Sequence, residues 1–586
     1  MTVLLPAIVG LKGTAQNAFL ALVDNGGRCL LLKIAMAQVN PTVGDFSGNT
    51  QMILRTINAA RQSSAEVVVF PELVITGYPP QDLLYEREFV KTNRDSLSEI
   101  ARKGRGMVVV VGFVEHDDDW NLYNSAAVLA NGHVVDTARK TLLPTYDVFD
   151  EDRYFKPEKP ERIHPISIKM RGREVKLGVQ ICEDLWDENY ESKVTDILAQ
   201  RGADLIINLS ASPFYIGKVF ERLRLLEDKA TRNRVPVLLV NLVGGQDELV
   251  FDGQSLAVDS RGKPIAWAKA FEEDLVMVDI DLVKRTARKV RVPSYDRTEE
   301  MHDALVLGIR DYFRKTGFSR AVLGLSGGID SSVSACIAAE ALGSANVIGL
   351  SMPSRYSTDH SKTDAQQLAE NLGIHYLVLP IQSIVNSYHA GLAECLGDIR
   401  SIFRKANDED PVADENIQPR VRGNCLMDIS NRFKDLRVLV LNTGNKTELA
   451  LGFCTLYGDM SGGVGVLGDV SKLQVYELAH FINKRAKRLV IPSSILEKPP
   501  SPELKDNQFD PFDFDVVSPM VDEIIENRRS RRELIEMGYP ESMVDDTYKR
   551  IRRAEYKRWQ APPCIKISRR AFGIGWKMPI VNHYRG

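Results

Sequence analysis

Two adjacent glycines framed by serines, Ser326-Gly327-Gly328-Ile329-Asp330-Ser331-Ser332, stand between the apolar run Ala321-Val322-Leu323-Gly324-Leu325 and a segment of helical pattern. No other stretch of the chain restricts its fold as strongly. A strand that turns on glycines into a helix sets its loop at the carboxyl end of a sheet, and the free N–H groups of the helix then face an anion. The glycines allow close backbone approach, and Ser326, Ser331 and Ser332 add hydroxyls. Gly324, Leu325, Ile329 and Asp330 complete the candidate cradle. No Walker lysine follows, which excludes the phosphate loop of GTPases.

The segments after the loop extend the same pattern. Helix 331–342 ends at Gly343, strand 347–350 follows, helix 358–372 ends at Gly373, and strand 376–379 comes next. Successive strand–helix–strand units of this kind predict a doubly wound parallel sheet, Rossmann-like in class. The 586 residues exceed one core, so a second domain is expected upstream. There, β-like runs at 34–39, 67–70, 107–114, 175–181, 205–209 and 237–242 alternate with helical patterns. Asn131-Gly132 and Arg261-Gly262 mark hairpins, so a layered α/β sandwich is expected. Between the two, residues 282–299 lose apolar periodicity, carry Lys284, Arg285, Arg288, Lys289 and Arg291, and read as a solvated linker.

Composition narrows the partners. Lys plus Arg number 75 against 78 Asp plus Glu, a net charge of -3, so no overall field favours nucleic acid or an anionic membrane. Small-molecule substrates are the expected partners. Seven cysteines without a C-x-x-C pair fit a reducing cytoplasm rather than a disulfide framework. No apolar run reaches the length of a membrane span. Residues 1–32 lack a basic start, so a signal peptide is not expected; the first strand is expected at Lys33, leaving 1–32 as an extension of unknown role.

The second half carries three further motifs, Glu415-Asn416-Ile417-Gln418-Pro419-Arg420, Asn442-Thr443-Gly444-Asn445-Lys446-Thr447-Glu448 and Lys498-Pro499-Pro500-Ser501-Pro502-Glu503-Leu504, and a tail Glu555-Tyr556-Lys557-Arg558-Trp559. With the serine-glycine loop they resemble the ATP-pyrophosphatase-type NAD synthetase family over nearly all of residues 300–586. The resemblance implies attack of a carboxylate of nicotinic acid adenine dinucleotide (deamido-NAD) on ATP, giving an acyl-adenylate and pyrophosphate. It implies magnesium on Asp330 and Glu448, Thr443 on ATP alongside the 324–332 loop, and Asn416, Glu448 and Lys557 on deamido-NAD. Lys446 would lie near the phosphates. Pro419 stands where that family usually has a small helix former, and the Asn416 to Thr443 spacing is three residues longer than expected.

In the first half, Phe70-Pro71-Glu72-Leu73, Arg139-Lys140-Thr141-Leu142-Leu143-Pro144 and Gln180-Ile181-Cys182-Glu183-Asp184 each put a reactive side chain at the end of an apolar run. A thiol attacks as thiolate, and a carboxylate base with a lysine cation would activate it. The three motifs in this order resemble the nitrilase superfamily, which implies an α-β-β-α sandwich over residues 33–281. By resemblance Glu72 is the general base, Lys140 stabilises the tetrahedral oxyanion and Cys182 is the nucleophile. Tyr146, Ser212 and Lys218 would contact L-glutamine.

The two halves complement each other, because glutamine hydrolysis releases the ammonia that an acyl-adenylate needs. The whole resembles glutamine-dependent NAD synthetases, which implies a homo-oligomer; because free ammonia would be protonated in water, the fusion itself predicts a shielded passage from Cys182 toward the Ser326 to Ser332 loop. A different amidotransferase with the same loop is disfavoured by residues 442–448, and a nucleotide sensor with a degenerate amidase is disfavoured by intact Glu72, Lys140 and Cys182.

Overall fold

The computed structural model describes residues 31–402, 411–506 and 508–584. Its amino-terminal half is built on two six-stranded sheets. One sheet runs in the order Asp274–Asp281, Leu31–Gln38, Val67–Val69, Val108–His116, Leu122–Ala130, His133–Arg139. The other runs Pro264–Trp267, Leu256–Val258, Val237–Asn241, Leu205–Ser210, Arg173–Ile181, Ile166–Met170. Runs such as Val108–Val114 are buried on both faces, because each sheet packs against the other on its inner side and against helices on its outer side. Ile34, Val67, Val179 and Ile207 lie in the layer between the sheets. Outside, helices Phe46–Gln62 and Arg87–Lys103 cover the first sheet, while Val194–Gln200 and Lys218–Asn233 cover the second. The result is the expected α-β-β-α sandwich, with hairpins at 131–132 and 259–263.

The first strand begins at Leu31 rather than Lys33. Leu31 and Leu32 pair with Asp281 and Ile280, because the partner strand is long enough to extend the ladder past the lysine. The rest of the amino-terminal extension lies outside the described residues. The linker is shorter than expected: Asp296 caps the helix Arg297–Thr316 by accepting from Thr298 N at 2.9 Å and Glu299 N at 3.2 Å.

The carboxyl-terminal half contains a five-stranded sheet in the order His375–Val378, Val347–Ser351, Arg320–Gly324, Val438–Asn442, Val464–Gly465. Every pair in it is parallel. The strand order reverses between Arg320–Gly324 and Val438–Asn442, so the loops at 325–328 and 443–445 leave side by side at a topological switch point. Helix Pro411–Arg432 runs through Pro419 without ending. The helix ends at Arg432, roughly 24 Å beyond Asn416 at 1.5 Å per residue, and Phe433 after it is exposed.

The two halves share a core. Phe214, Val243, Val250 and Phe271 of the first half pack in one cluster with Met301, Ala304, Leu305 and Ile565 of the second. Polar ties reinforce it: Asp311 accepts from Asn40 Nδ2 at 2.7 Å and from Gly245 N at 2.8 Å. Lys315 donates to the Pro41 and Gly245 carbonyls at 2.9 and 2.8 Å.

Two candidate active sites

In the amino-terminal half, Glu72 and Lys140 follow strands of one sheet, and Cys182 follows Arg173–Ile181 of the other. The chain turns sharply at Cys182, whose φ of +42° is in the left-handed region, and this turn aims the thiol across the gap between the sheets. Asp184 fixes the turn: its carboxylate accepts from Thr141 N, Leu142 N and Ile181 N at 3.0, 2.9 and 3.0 Å. The segment after Lys140 is thereby locked to the cysteine loop.

Lys140 is buried and donates to Glu72 at 2.7 Å and to Glu151 at 2.8 Å. Glu72 also accepts from Asn124 Nδ2 at 2.7 Å and Ala211 N at 2.8 Å. Glu151 is a second buried carboxylate that sequence reasoning missed, since it sits in an acidic loop with Asp147, Asp150 and Asp152 and nothing local distinguishes it. Tyr78 donates to it at 2.8 Å.

Burial, and then the charge of Glu72, push the Cys182 thiol well above its ordinary value, with Lys140 opposing them. Burial works against the Lys140 cation too, but Glu151 and Glu72 outweigh it and hold its pKa high. The arrangement suits proton transfer from thiol to Glu72 in step with attack.

Tyr146, Ser212 and Lys218 line the same cavity as Cys182, about 350 Å³ in volume. Tyr146 donates to Glu183 at 3.0 Å. Ser212 is buried beside the Arg222 guanidinium, with Oγ 3.3 Å from Nη2. Lys218 opens a helix with its ammonium 3.9 Å from the Trp186 ring centre. Burial and the nearby Arg222 lower its pKa to about 8.

The carboxyl-terminal cleft, about 590 Å³, is lined by Gly324, Leu325, Ser326, Gly328, Ile329, Asp330 and Ser331 together with Thr443, Asn416, Glu448 and Lys557. Gly327 has φ +78° and sits so close to the Ser361 carbonyl that a Cβ would lie 2.2 Å from its oxygen. Only glycine fits that position. Ser326 Oγ lies 3.1 Å from Ser331 Oγ and accepts from Gly328 N at 3.2 Å. Ser332, expected to offer its hydroxyl to a ligand, turns inward and donates to the Gly328 carbonyl at 2.7 Å, so it shapes the loop from beneath.

Asp330 and Glu448 come from the first turns of two helices, Ile329–Leu342 and Lys446–Leu451. Burial, and then the Asp330 charge, raise the Glu448 carboxyl to about 8. Lys472, which the sequence reading did not single out, lies between them, 2.5 Å from Asp330 and 3.7 Å from Glu448. A signal existed: Lys472 occupies the first turn of the helix Lys472–Ala486, where the helix dipole disfavours a cation unless anions are near. Lys557 donates to the Gly452 and Cys454 carbonyls at 2.8 and 2.7 Å. Asn416 Oδ1 accepts from Thr455 at 2.7 Å.

Lys446 is not near the cleft. Its buried ammonium points the other way, 2.7 Å from Glu526, 3.2 Å from Asp522 and 3.4 Å from Asp469. On a helix, consecutive side chains diverge by about 100°, so Glu448 can face the cleft only if Lys446 does not. Asp469 in turn accepts from Ile567 N and Ser568 N at 2.7 Å. Lys446→Met is expected to destabilise the protein by about 3–5 kcal/mol, the cost of leaving buried Asp469 and partly buried Asp522 and Glu526 without their cation. Thermal unfolding would show it as a lower midpoint, and an unchanged midpoint would contradict the assigned role.

Comparison with known proteins agrees with this division. The family model for carbon-nitrogen hydrolases matches residues 33–289, and that for NAD synthase matches residues 301–561. A glutamine-dependent NAD(+) synthetase of Synechocystis is 42% identical over 574 residues, covering 94% of this chain and 99% of the relative. One from Thermotoga maritima is 40% identical over 592 residues, again covering 94% and 99%. The solved structure of a glutamine-dependent NAD+ synthetase from Acinetobacter baumannii, in complex with adenosine diphosphate, aligns with a TM-score of 0.74 at 35% identity, covering 94% of this chain and 99% of that one. Identity at this level along nearly the entire length of both partners means that the chain belongs to the glutamine-dependent NAD(+) synthetase family.

Proposed function

We propose that the chain converts deamido-NAD to NAD, using ATP and the amide nitrogen of L-glutamine. The observation that carries this reading is the pair of cavities on one chain, one holding a buried Cys–Glu–Lys set and the other a serine-glycine loop facing two carboxylates.

The division of labour follows residues 33–281 and 300–586. In the first cavity, Glu72 takes the Cys182 proton as sulfur adds to the glutamine amide carbon. The Lys140 ammonium offsets the oxyanion, Glu72 returns the proton to the departing ammonia, and a γ-glutamyl thioester remains. Water then releases glutamate and restores the thiol. Tyr146, Ser212 and Lys218 are positioned to hold the substrate.

In the second cleft, the 324–331 segment and Thr443 hold ATP while Asn416 and Lys557 hold the dinucleotide. The dinucleotide carboxylate attacks the α phosphate and pyrophosphate leaves against loop N–H groups and hydroxyls. Ammonia then attacks the acyl-adenylate and AMP departs. The paired carboxylates of Asp330 and Glu448 are hard oxygen donors suited to magnesium, which they would hold and which would neutralise phosphate charge. Lys472 supplies a fixed cation beside them.

Residues 562 and 564 line the nucleotide cleft, whereas 566, 569 and 570 line the cysteine cavity. One short segment thus touches both sites, which supports a shielded passage for ammonia. An apolar stripe on helix Gln382–Ile402, with Ile384, Tyr388, Leu392 and Ile399 all exposed, supports self-association. The six described cysteines are free thiols, in keeping with a cytoplasmic setting. Among the described residues no helix is long and apolar enough to cross a membrane.

One assay tests the reading. Purified protein given ATP, magnesium, deamido-NAD and amide-15N-glutamine is expected to form NAD, AMP and pyrophosphate; failure to form NAD would refute the function. With unlabelled ammonium also present, 15N is expected to persist in NAD, and full dilution would remove the passage.

A further inference from the structure

The cysteine cavity is not closed by its own domain. Its rim includes Arg528, Lys566, Arg569 and Arg570 from the carboxyl-terminal half. Two of these cations are committed elsewhere: Lys566 donates to the Ser568 and Arg569 carbonyls at 2.7 and 3.1 Å, and Arg569 pairs with Glu221. Among the described residues, Arg528 and Arg570 form no ion pair and no side-chain hydrogen bond. Arg570 stacks with its guanidinium carbon 4.7 Å from the Trp576 ring centre, which fixes its plane and leaves its N–H edge free.

We infer that Arg528 and Arg570 form an anion site that takes the α-carboxylate of glutamine, so that the synthetase half supplies part of the amidase substrate pocket. The inference rests on the glutamine-hydrolysing role of Cys182 proposed above. Two guanidiniums that share a cavity rim repel one another until a carboxylate neutralises them, and a planar carboxylate matches the guanidinium fork. Their mutual repulsion is visible in Arg570, whose pKa is lowered by burial and then by the Arg528 charge. Of the acidic groups lining the cavity, Asp147 lies 3.6 Å from Lys566 and its charge partly offsets that of Arg528 on Arg570, while the other two are hydrogen-bonded. Glu183 accepts from Tyr146 and Tyr190 at 3.0 and 3.1 Å, and Glu526 from Lys446 at 2.7 Å. Lys218 has a different place: its ammonium lies 3.9 Å from the Trp186 ring centre and donates to the Tyr215 hydroxyl at 3.3 Å, which leaves the carboxylate to the arginines.

The test compares L-glutamine with its α-amide, in which the carboxylate is replaced by a neutral group. The full-length protein and the variants Arg528→Gln, Arg570→Gln and Lys218→Gln are assayed for NAD formation. Activity with ammonium serves as the reference for an intact synthetase site. Loss of one charged hydrogen-bonding partner is expected to raise KM for glutamine about 10- to 100-fold, with kcat within a few-fold. KM for the α-amide is expected to stay nearly constant, so the preference for the carboxylate collapses by the same factor. Arg570→Lys is expected to restore only part of it, because an ammonium cannot bind the carboxylate bidentately. Equal increases for both substrates would overturn the inference by showing that the arginines merely shape the rim. Collapse of the preference in Lys218→Gln alone would overturn it by assigning the carboxylate to Lys218. If the unmodified protein used ammonium but not glutamine, the amidase reading itself would fall instead.

Discussion

Cys182→Ala is expected to eliminate glutamine-dependent NAD formation, by a factor on the order of 10⁴ or more, while ammonium-dependent formation persists. The asymmetry follows from placement. Cys182 lies in a cavity separate from the cleft that holds Asp330, Thr443 and Glu448, and it makes no structural contact that alanine would break beyond a single sulfur. Glu72, Lys140 and Glu151 remain mutually satisfied without it. The readout is the ratio of rates with the two nitrogen sources. Parallel loss of both would mean that the two sites are not chemically separable and that the proposed division between the halves is wrong.

Gly327→Ala is expected to have the reverse effect, removing NAD formation with either nitrogen source by on the order of 10² or more. The new Cβ would meet the Ser361 carbonyl oxygen at 2.2 Å, and the backbone there has φ +78°. A non-glycine residue in such a conformation costs roughly 1–3 kcal/mol, and a backbone oxygen cannot turn aside as a side chain can. The loop must therefore shift, and a displacement of about 1 Å at a reacting centre costs on the order of 10² in rate. Hydrolysis of glutamine at Cys182 is expected to continue in this variant, so glutamate release without NAD is the diagnostic. Retention of full synthetase activity would show that the loop does not hold the nucleotide.

Much of this architecture was legible in the chain because the motifs sit where strands end. The strand before Ser326 and the helix after Gly328 follow from local signals, as does the burial of both sheets in the first half from runs such as residues 107–114. The individual ligand contacts were less legible. Lys446 stands in the same motif as Thr443 and Glu448, yet two residues of helix, about 200° of rotation from Glu448, send it toward Asp469, Asp522 and Glu526. Ser332 repeats the chemistry of Ser331, and both donate to the Gly328 carbonyl, but only Ser331 also reaches the cleft. Glu151 and Lys472 reach their sites only through tertiary contacts with elements 11 to 142 residues distant. Pattern locates an element and its end; which way a side chain points depends on what packs against it.

The shared core beneath the linker has a thermodynamic consequence. Phe214, Val243, Val250 and Phe271 are each at least nine-tenths buried, in one cluster with the second half. At roughly 1.5–3 kcal/mol per buried apolar side chain, exposing all four would forfeit up to about 6–12 kcal/mol, comparable with the whole stability of an ordinary domain at about 5–15 kcal/mol. An excised amidase half would thus be a sticky, half-melted fragment, and heating the intact chain should collapse both halves in one transition. Residues 282–296 divide the sequence into two recognisable pieces, yet the buried cluster they share ties the stability of each to the other.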